Sequence, residues 1–478
     1  MDPIESGKCP PVCLFYRAAV CFAVVFNVLH LVSLPIEISY DGLGYIDMAD
    51  VLFSGRFPQD WLPNRAPLFP LTLKIAFWAI GRQAQTAALV SSALGLAGIL
   101  ALGDAVRRIA GRAAASSVIV FVCLYPTLVV YQHSVLTEAG TFFFLALLVN
   151  IAVRPAASRR AMWGRALALI AVSSLGFYWR QNILAALPAL AALLIAAEWK
   201  YDALRAVIAR NLAIVVLPVA CSLPWNAYSN ALALRDVSIR QGIIRQALLP
   251  SDHPYIGEHR ADYETAIRAS AVRGNFYSGI SWPLLTELSP KIFSGNRAEN
   301  TMGLFTRLVL QNPLRYGQAL ARSTLFFAGV PGIESDNRAF REEVLSLTAH
   351  GAKISDGPQP LQRRIREQFS QTTSPSVLMR GLRVLGPVYD ALLLPATSLT
   401  LGALVIALIR RRRDAALLYA TPLLYLASYA VFLSTIDRFM TPVYPFFLAV
   451  LALACHTAAS AFSQRFRQAR PGPSYGAK

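Results

Sequence analysis

Between Glu37 and Pro70 the chain reads EISYDGLGYIDMADVLFSGRFPQDWLPNRAPLFP. Five carboxylates, Glu37, Asp41, Asp47, Asp50 and Asp60, are followed there by Arg65. A carboxylate can take a proton, and a guanidinium fork is well shaped for a phosphate. Four more places hold polar residues with no obvious structural duty: His133 to Glu138, Arg180 to Asn182, Trp225 with Asn226, and Thr435 to Arg438. Each has a bland reading as well. Asp41 would cap a short helix over 43–53. Asp47 and Asp50, three apart, would share its solvated face opposite Tyr45, Ile46, Ala49, Leu52 and Phe53. Glu138 would be an acid favoured by a helix dipole, and Arg438 a partner of Asp437 or a headgroup anchor. Trp61, Tyr178, Trp179, Trp225 and Tyr228 would belong to an aromatic belt.

The elements that must position these residues are membrane spans. Of 478 residues 55% are hydrophobic and only 15% charged, against about 25% charged in soluble domains. Apolar runs fall at 16–36, 86–106, 114–132, 138–153, 163–179, 182–198, 211–232, 387–409, 415–433 and 439–459, each of a length to cross roughly 30 Å of hydrocarbon. The expected fold is an all-α polytopic membrane protein of about ten transmembrane helices. Segment 67–81 is short and carries Lys74, so it reads as a juxtamembrane helix of the first outer loop. With ten spans, the basic clusters around Arg107, Arg154, Lys200, Arg410 and Arg465 all share a side with Lys8 and Arg17. Both termini are then cytoplasmic. The first run, Leu14 to Ile36, reads as a retained span, not a cleaved signal.

Four regions follow: a membrane module over 1–233 including outer loop 37–85, an outer-loop subdomain over 234–386, C-terminal helices over 387–460 and a cytoplasmic tail over 461–478. Short helices are expected at 258–273 and 313–329. The charge of +18 lies mainly between spans, which fits anionic membrane lipids better than nucleic acid. Cys9 and Cys13 lack the further ligands of a metal site, and no disulfide framework is visible. No repeated halves or midplane charges of the kind a transporter carries are seen.

The order of the outer motifs, YDGLGYIDMADVLFSG, NRAPLFPL, QHSVLTEAGTFFFLALL, YWRQN, LPWNAYSN and TIDRFMTPVYPF, resembles the GT-C superfamily of polyprenyl-phosphate-sugar glycosyltransferases. Protein O-mannosyltransferases and lipid A aminoarabinose transferases are members. The resemblance implies an inverting transferase that moves a sugar from a polyprenyl-phosphate donor to a glycan, lipid or protein acceptor. It assigns the general base to Asp41 with Glu138 in support, and the donor phosphate to Arg438; Arg65 and Arg180, by their placement, are further substrate-binding candidates, as is His133, which otherwise reads as an interfacial polar residue. Unlike members with adjacent acidic pairs, this chain follows Asp41 with Gly42, which leaves a bridging divalent cation open. Arginine in place of lysine and abundant alanine point to a GC-rich bacterium, which would put the protein in the inner membrane and its site in the periplasm. The competing classes are a polymerase or ligase of lipid-linked polysaccharide, relying on loop arginines, and a non-catalytic transporter or flippase partner.

Overall fold

A computed structural model of the chain describes residues 11–56, 65–156, 158–199, 201–231, 240, 242–244, 247–272, 288–289, 291–293, 301–328, 336–346, 377–431 and 440–468. Among these the protein is helical, without a strand; a single parallel bridge joins Glu37 to Ser134. It is an all-α polytopic membrane protein. Among the described residues seven helices are long and apolar enough to cross a membrane, or eight if one bent pair counts as a span.

Helix α1 (Pro11–Ser33) leads into α2 (Tyr40–Val51) and α3 (Leu68–Ile80). Ser39, not Asp41, caps α2: its hydroxyl accepts from the Gly42 amide at 3.1 Å. The cap places Asp41 in the first turn, so the capping reading of Asp41 falls. Tyr45, Ile46 and Ala49 are buried as expected, but Phe53 is turned outwards with φ at 64°. Helix α3 is the expected juxtamembrane element. Thirteen residues span only about 20 Å at 1.5 Å per residue, so it cannot cross. It buries Phe69, Leu73 and Phe77 and leaves Trp78 outside.

Helices α4 (Ala84–Ala110) and α5 (Arg112–Cys123) meet at Gly111, whose φ of 90° suits glycine. The run read as one span over 114–132 is instead broken. Pro126 holds Tyr125 in an extended conformation and opens α6 (Pro126–Gln132), bent 65° from α5. All seven residues of α6 are buried. Helix α7 (Glu138–Ala152) packs on α4 at Gly98, where a Cβ would lie 2.7 Å from the Phe142 ring and 3.1 Å from the Phe143 Cα. Enclosed by other helices, α7 stops at 15 residues.

Next come α8 (Arg159–Trp179), a 3₁₀ turn (Gln181–Ala186), α9 (Leu187–Glu198) and α10 (Leu204–Ala231). Further along the chain, α11 (Arg260–Val272) and α13 (Pro313–Phe327) match the two helices expected at 258–273 and 313–329. The sequence reading missed α12 (Thr301–Gln311) and α14 (Asp336–Ser346). Ile243, Leu249, Tyr263, Phe293, Leu304 and Leu308 form a hydrophobic cluster of their own in this stretch.

Helix α15 (Val377–Ile409) begins ten residues before the expected start at 387. Pro387 and Pro395 lie inside it, a placement neighbouring helices make tolerable within membranes. The bundle closes with α16 (Arg413–Val431) and α17 (Tyr444–Gln468). Of the ten expected spans, those at 138–153 and 415–433 correspond to α7 and α16, which fall outside the set long and apolar enough to cross.

Candidate active site at one end of the bundle

The bed of the site is the chain between α6 and α7. The Glu37 amide donates to the His133 carbonyl at 2.9 Å, and the Val135 amide returns a bond to the Glu37 carbonyl at 3.3 Å. Glu37 and residues 133–138 are buried. Helix α2 rests on this bed through Gly42: a Cβ there would lie 3.0 Å from the Val135 carbonyl oxygen and 3.2 Å from the Val135 Cβ. The glycine that follows Asp41 therefore lets the aspartate approach this strip of backbone. No sequence argument for Gly42 foresaw that packing.

Asp41 is engaged by Arg65, whose Nη2 donates to Oδ1. The same guanidinium donates from Nη1 to the Tyr45 hydroxyl at 3.1 Å and lies 4.8 Å from that ring's centroid. Burial alone would lower the Arg65 pKa, but Tyr45 and Asp41 outweigh it and hold it above its ordinary value. Charge-assisted bonds of this kind are about twice as strong as neutral ones.

At the other end of the bed, Glu138 opens α7 and is 2% exposed. Arg180, the residue at which α8 gives way to the 3₁₀ turn, donates from Nη1 to Glu138 Oε1 and to Thr137 Oγ1, both at 3.2 Å. Burial opposes charge on this guanidinium too, yet Tyr429, Tyr425, Glu138 and Tyr45 raise its pKa well above the ordinary value. Tyr45 thus acts on both arginines. Phe69 fills the space between the clusters, with ring centroids 5.0 Å from Tyr45 and 4.9 Å from Trp179.

Three expectations need correction or limits. His133 is interior, not interfacial: it is fully buried and shares a 2.7 Å hydrogen bond with His30. Burial, and then His30, push its pKa well below the usual imidazole value. Trp179 is not part of a belt either, since its Nε1 donates to the Thr137 carbonyl at 2.9 Å and the ring is buried. Arg438, Asp437 and Trp61 lie outside the described residues.

The structure brings together Asp41, Arg65, Glu138 and Arg180, and it adds Tyr45, Tyr425 and Tyr429. The tyrosines of α16 carry a signal, a four-residue spacing on one helix face, but nothing in the sequence links that face to Arg180. Among the described residues no group of three His, Cys, Asp or Glu side chains gathers to hold a metal ion.

No known family model matches the chain, and no curated protein matches it. Solved structures show a weak likeness. ArnT from Cupriavidus metallidurans bound to undecaprenyl phosphate has 15% identity over 96% of this chain and 81% of that one, with a TM-score of 0.38. Its apo state gives 14%, 97%, 82% and 0.37. The archaeal oligosaccharyltransferase AglB from Archaeoglobus fulgidus, in complex with an inhibitory peptide and a dolichol-phosphate, gives 12% identity over 96% of this chain and 53% of that one, at 0.44. Scores this low do not establish a common fold, so the site stands on its own geometry.

Proposed function

We propose that this protein is an integral-membrane inverting glycosyltransferase. It takes a sugar from a polyprenyl-phosphate-linked monosaccharide and gives it to a glycan, lipid or protein acceptor on the outer, periplasmic face of an inner membrane. The acceptor oxygen attacks the anomeric carbon, the bond from that carbon to the phosphate oxygen breaks, and lipid phosphate leaves. Asp41 takes the acceptor proton. Arg65 donates to Oδ1 of Asp41 and balances its charge. A single displacement inverts the anomeric centre.

Arg180 and Arg438 are assigned to the donor phosphate, and Glu138 to orienting Arg180. One observation carries this reading. Motif residues far apart in sequence, at 41, 65, 138 and 180, meet at one bed of buried backbone at the end of the bundle where α7 begins and α8 ends.

The test is transfer by the purified full chain in nanodiscs, with undecaprenyl-phosphate monosaccharides as donors and envelope glycans as acceptors. Asp41→Asn should lower the rate by about 10² to 10⁴-fold, the usual worth of a general base, at unchanged protein level. A fully active Asp41→Asn variant would sink the assignment.

A further inference from the structure

Helix α14 presents Asn337, Phe340, Arg341 and Val344 on one face, at the spacing i, i+3, i+4, i+7. That face is driven into the bundle. The Asn337 Oδ1 accepts from the Tyr131 hydroxyl and from Thr441 Oγ1, each at 2.8 Å. Phe340 stacks on Tyr131 with centroids 4.9 Å apart. Arg341 is fully buried, and its guanidinium grips Asp390 of α15 in a fork at 2.7 and 2.8 Å. Its Nη1 also reaches Thr127 Oγ1 at 3.3 Å.

The seat for Arg341 is cut into α15. A Cβ at Gly386 would lie 2.6 Å from the Arg341 Nε and 2.8 Å from its Cζ, so any larger residue there would push the side chain out. A buried arginine is costly unless it is paired and hydrogen-bonded. Apart from a 3.4 Å contact with Glu342 of its own helix, the fork joins α14 to elements distant in the chain, α6 and α15, and Asn337 joins it to the turn before α17.

Two of these partners, Thr127 and Tyr131, sit on α6, whose end runs directly into the bed at 133–138. That bed carries α2 at Gly42 and begins α7 at Glu138. We propose that α14 is a latch, with Asn337 and Arg341 positioning residues that fix α6 and so hold Asp41 and Glu138 in register. Neither touches the reacting atoms. The claim rests on the glycosyl-transfer reading of the site and names outer-loop residues that control it.

The experiment uses the full chain in nanodiscs and reads two quantities: kcat with donor KM, and backbone amide exchange over 127–138. Tyr131→Phe and Asn337→Ala should each lower kcat about ten-fold, a fraction of what an ångström of misplacement can cost, with donor KM within about two-fold. Exchange over 133–138 should quicken about ten-fold in both, and the double variant should add little to either single one. Asn337→Asp keeps the accepting oxygen and should restore most of the rate. If Arg341→Met fails to fold, Tyr131→Phe, which loses only a hydroxyl, still decides the matter.

Faster exchange with kcat unchanged would reduce α14 to a structural brace and overturn the proposal, as would kcat and exchange both unchanged. If the wild type transfers no sugar from any donor, the glycosyl-transfer reading fails. The latch would then be judged by whether Asn337→Ala quickens exchange at 133–138.

Discussion

Buried charge occurs at both ends of the bundle, and the two ends are built differently. At the far end, Glu198 is bound by Arg165 and by Arg210, the latter fully buried and also paired with Asp202 at 3.0 Å. Asn211 donates to the same carboxylate at 3.3 Å. Every member comes from residues 165–211, within three successive helices. At the end that holds the candidate site, the charges come from α2, from the chain before α3, from the start of α7 and from the end of α8, with the tyrosines of α16 beside them. A cluster that neighbouring helices could make by themselves is explained by packing; one that needs five distant segments calls for another explanation. Burial of charge alone therefore does not single out a site, and a cluster drawn from distant segments is the better candidate for one.

The sharpest break of this comparison pits Asp41→Asn against Glu198→Gln. The first should lose about 10²-fold or more in rate while melting like the wild type. The second leaves Arg210 short of a buried partner, which costs about 3–5 kcal/mol, so its melting temperature in detergent should fall sharply. The protein that remains folded should turn over at the wild-type rate per molecule. Were Glu198→Gln to keep its stability and lose its turnover, the two ends would not differ in kind.

The site's cluster was legible to the extent that its residues sit beside turns and helix ends. Asp41, Arg65, Glu138 and Arg180 stood out because apolar runs end next to them. Their convergence was not legible, because it depends on a 65° bend at Pro126 that hydropathy reads as one straight span. Tyr45 was taken only as part of an apolar face, and its hydroxyl became visible as an Arg65 partner once α3 was packed against α2. Helix α14 escaped notice for a related reason. Its single apolar stripe, interrupted by Arg341, looks like a solvated loop helix until Asp390 and Gly386 are brought against it.

A smaller effect should follow from His133. Its folded pKa is depressed, so its ring stays neutral while the unfolded chain takes a proton below about 6.5. Stability is thus fully present above that value and falls as the pH drops below it. Melting temperatures from pH 7.5 down to 5 should decline, and His133→Asn should flatten the slope. An identical slope in the variant would mean that other groups carry the acid sensitivity.

The least change is expected at Asp50 and Arg82, an ion pair that joins α2 to the chain between α3 and α4 without entering the bed. Arg82 Nη2 donates to Asp50 Oδ2 at 2.7 Å and its Nε to Oδ1 at 3.2 Å, with both side chains about a third exposed. Good geometry does not rescue such a pair: water screens it, and holding two long side chains costs entropy, so exposed pairs contribute about 0–1 kcal/mol. Asp50→Asn should therefore leave transfer within about two-fold and shift melting by no more than a degree or two. A two-bonded fork also joins Arg341 to Asp390, there through Nη1 and Nη2 and with the guanidinium buried, so the pair of variants Asp50→Asn and Asp390→Asn sets a partly exposed guanidinium against a buried one. Equal losses in the two would show that exposure does not set the worth of these forks. A loss confined to Asp390→Asn ties the sensitivity of the site's end of the bundle to the charges that reach its interior.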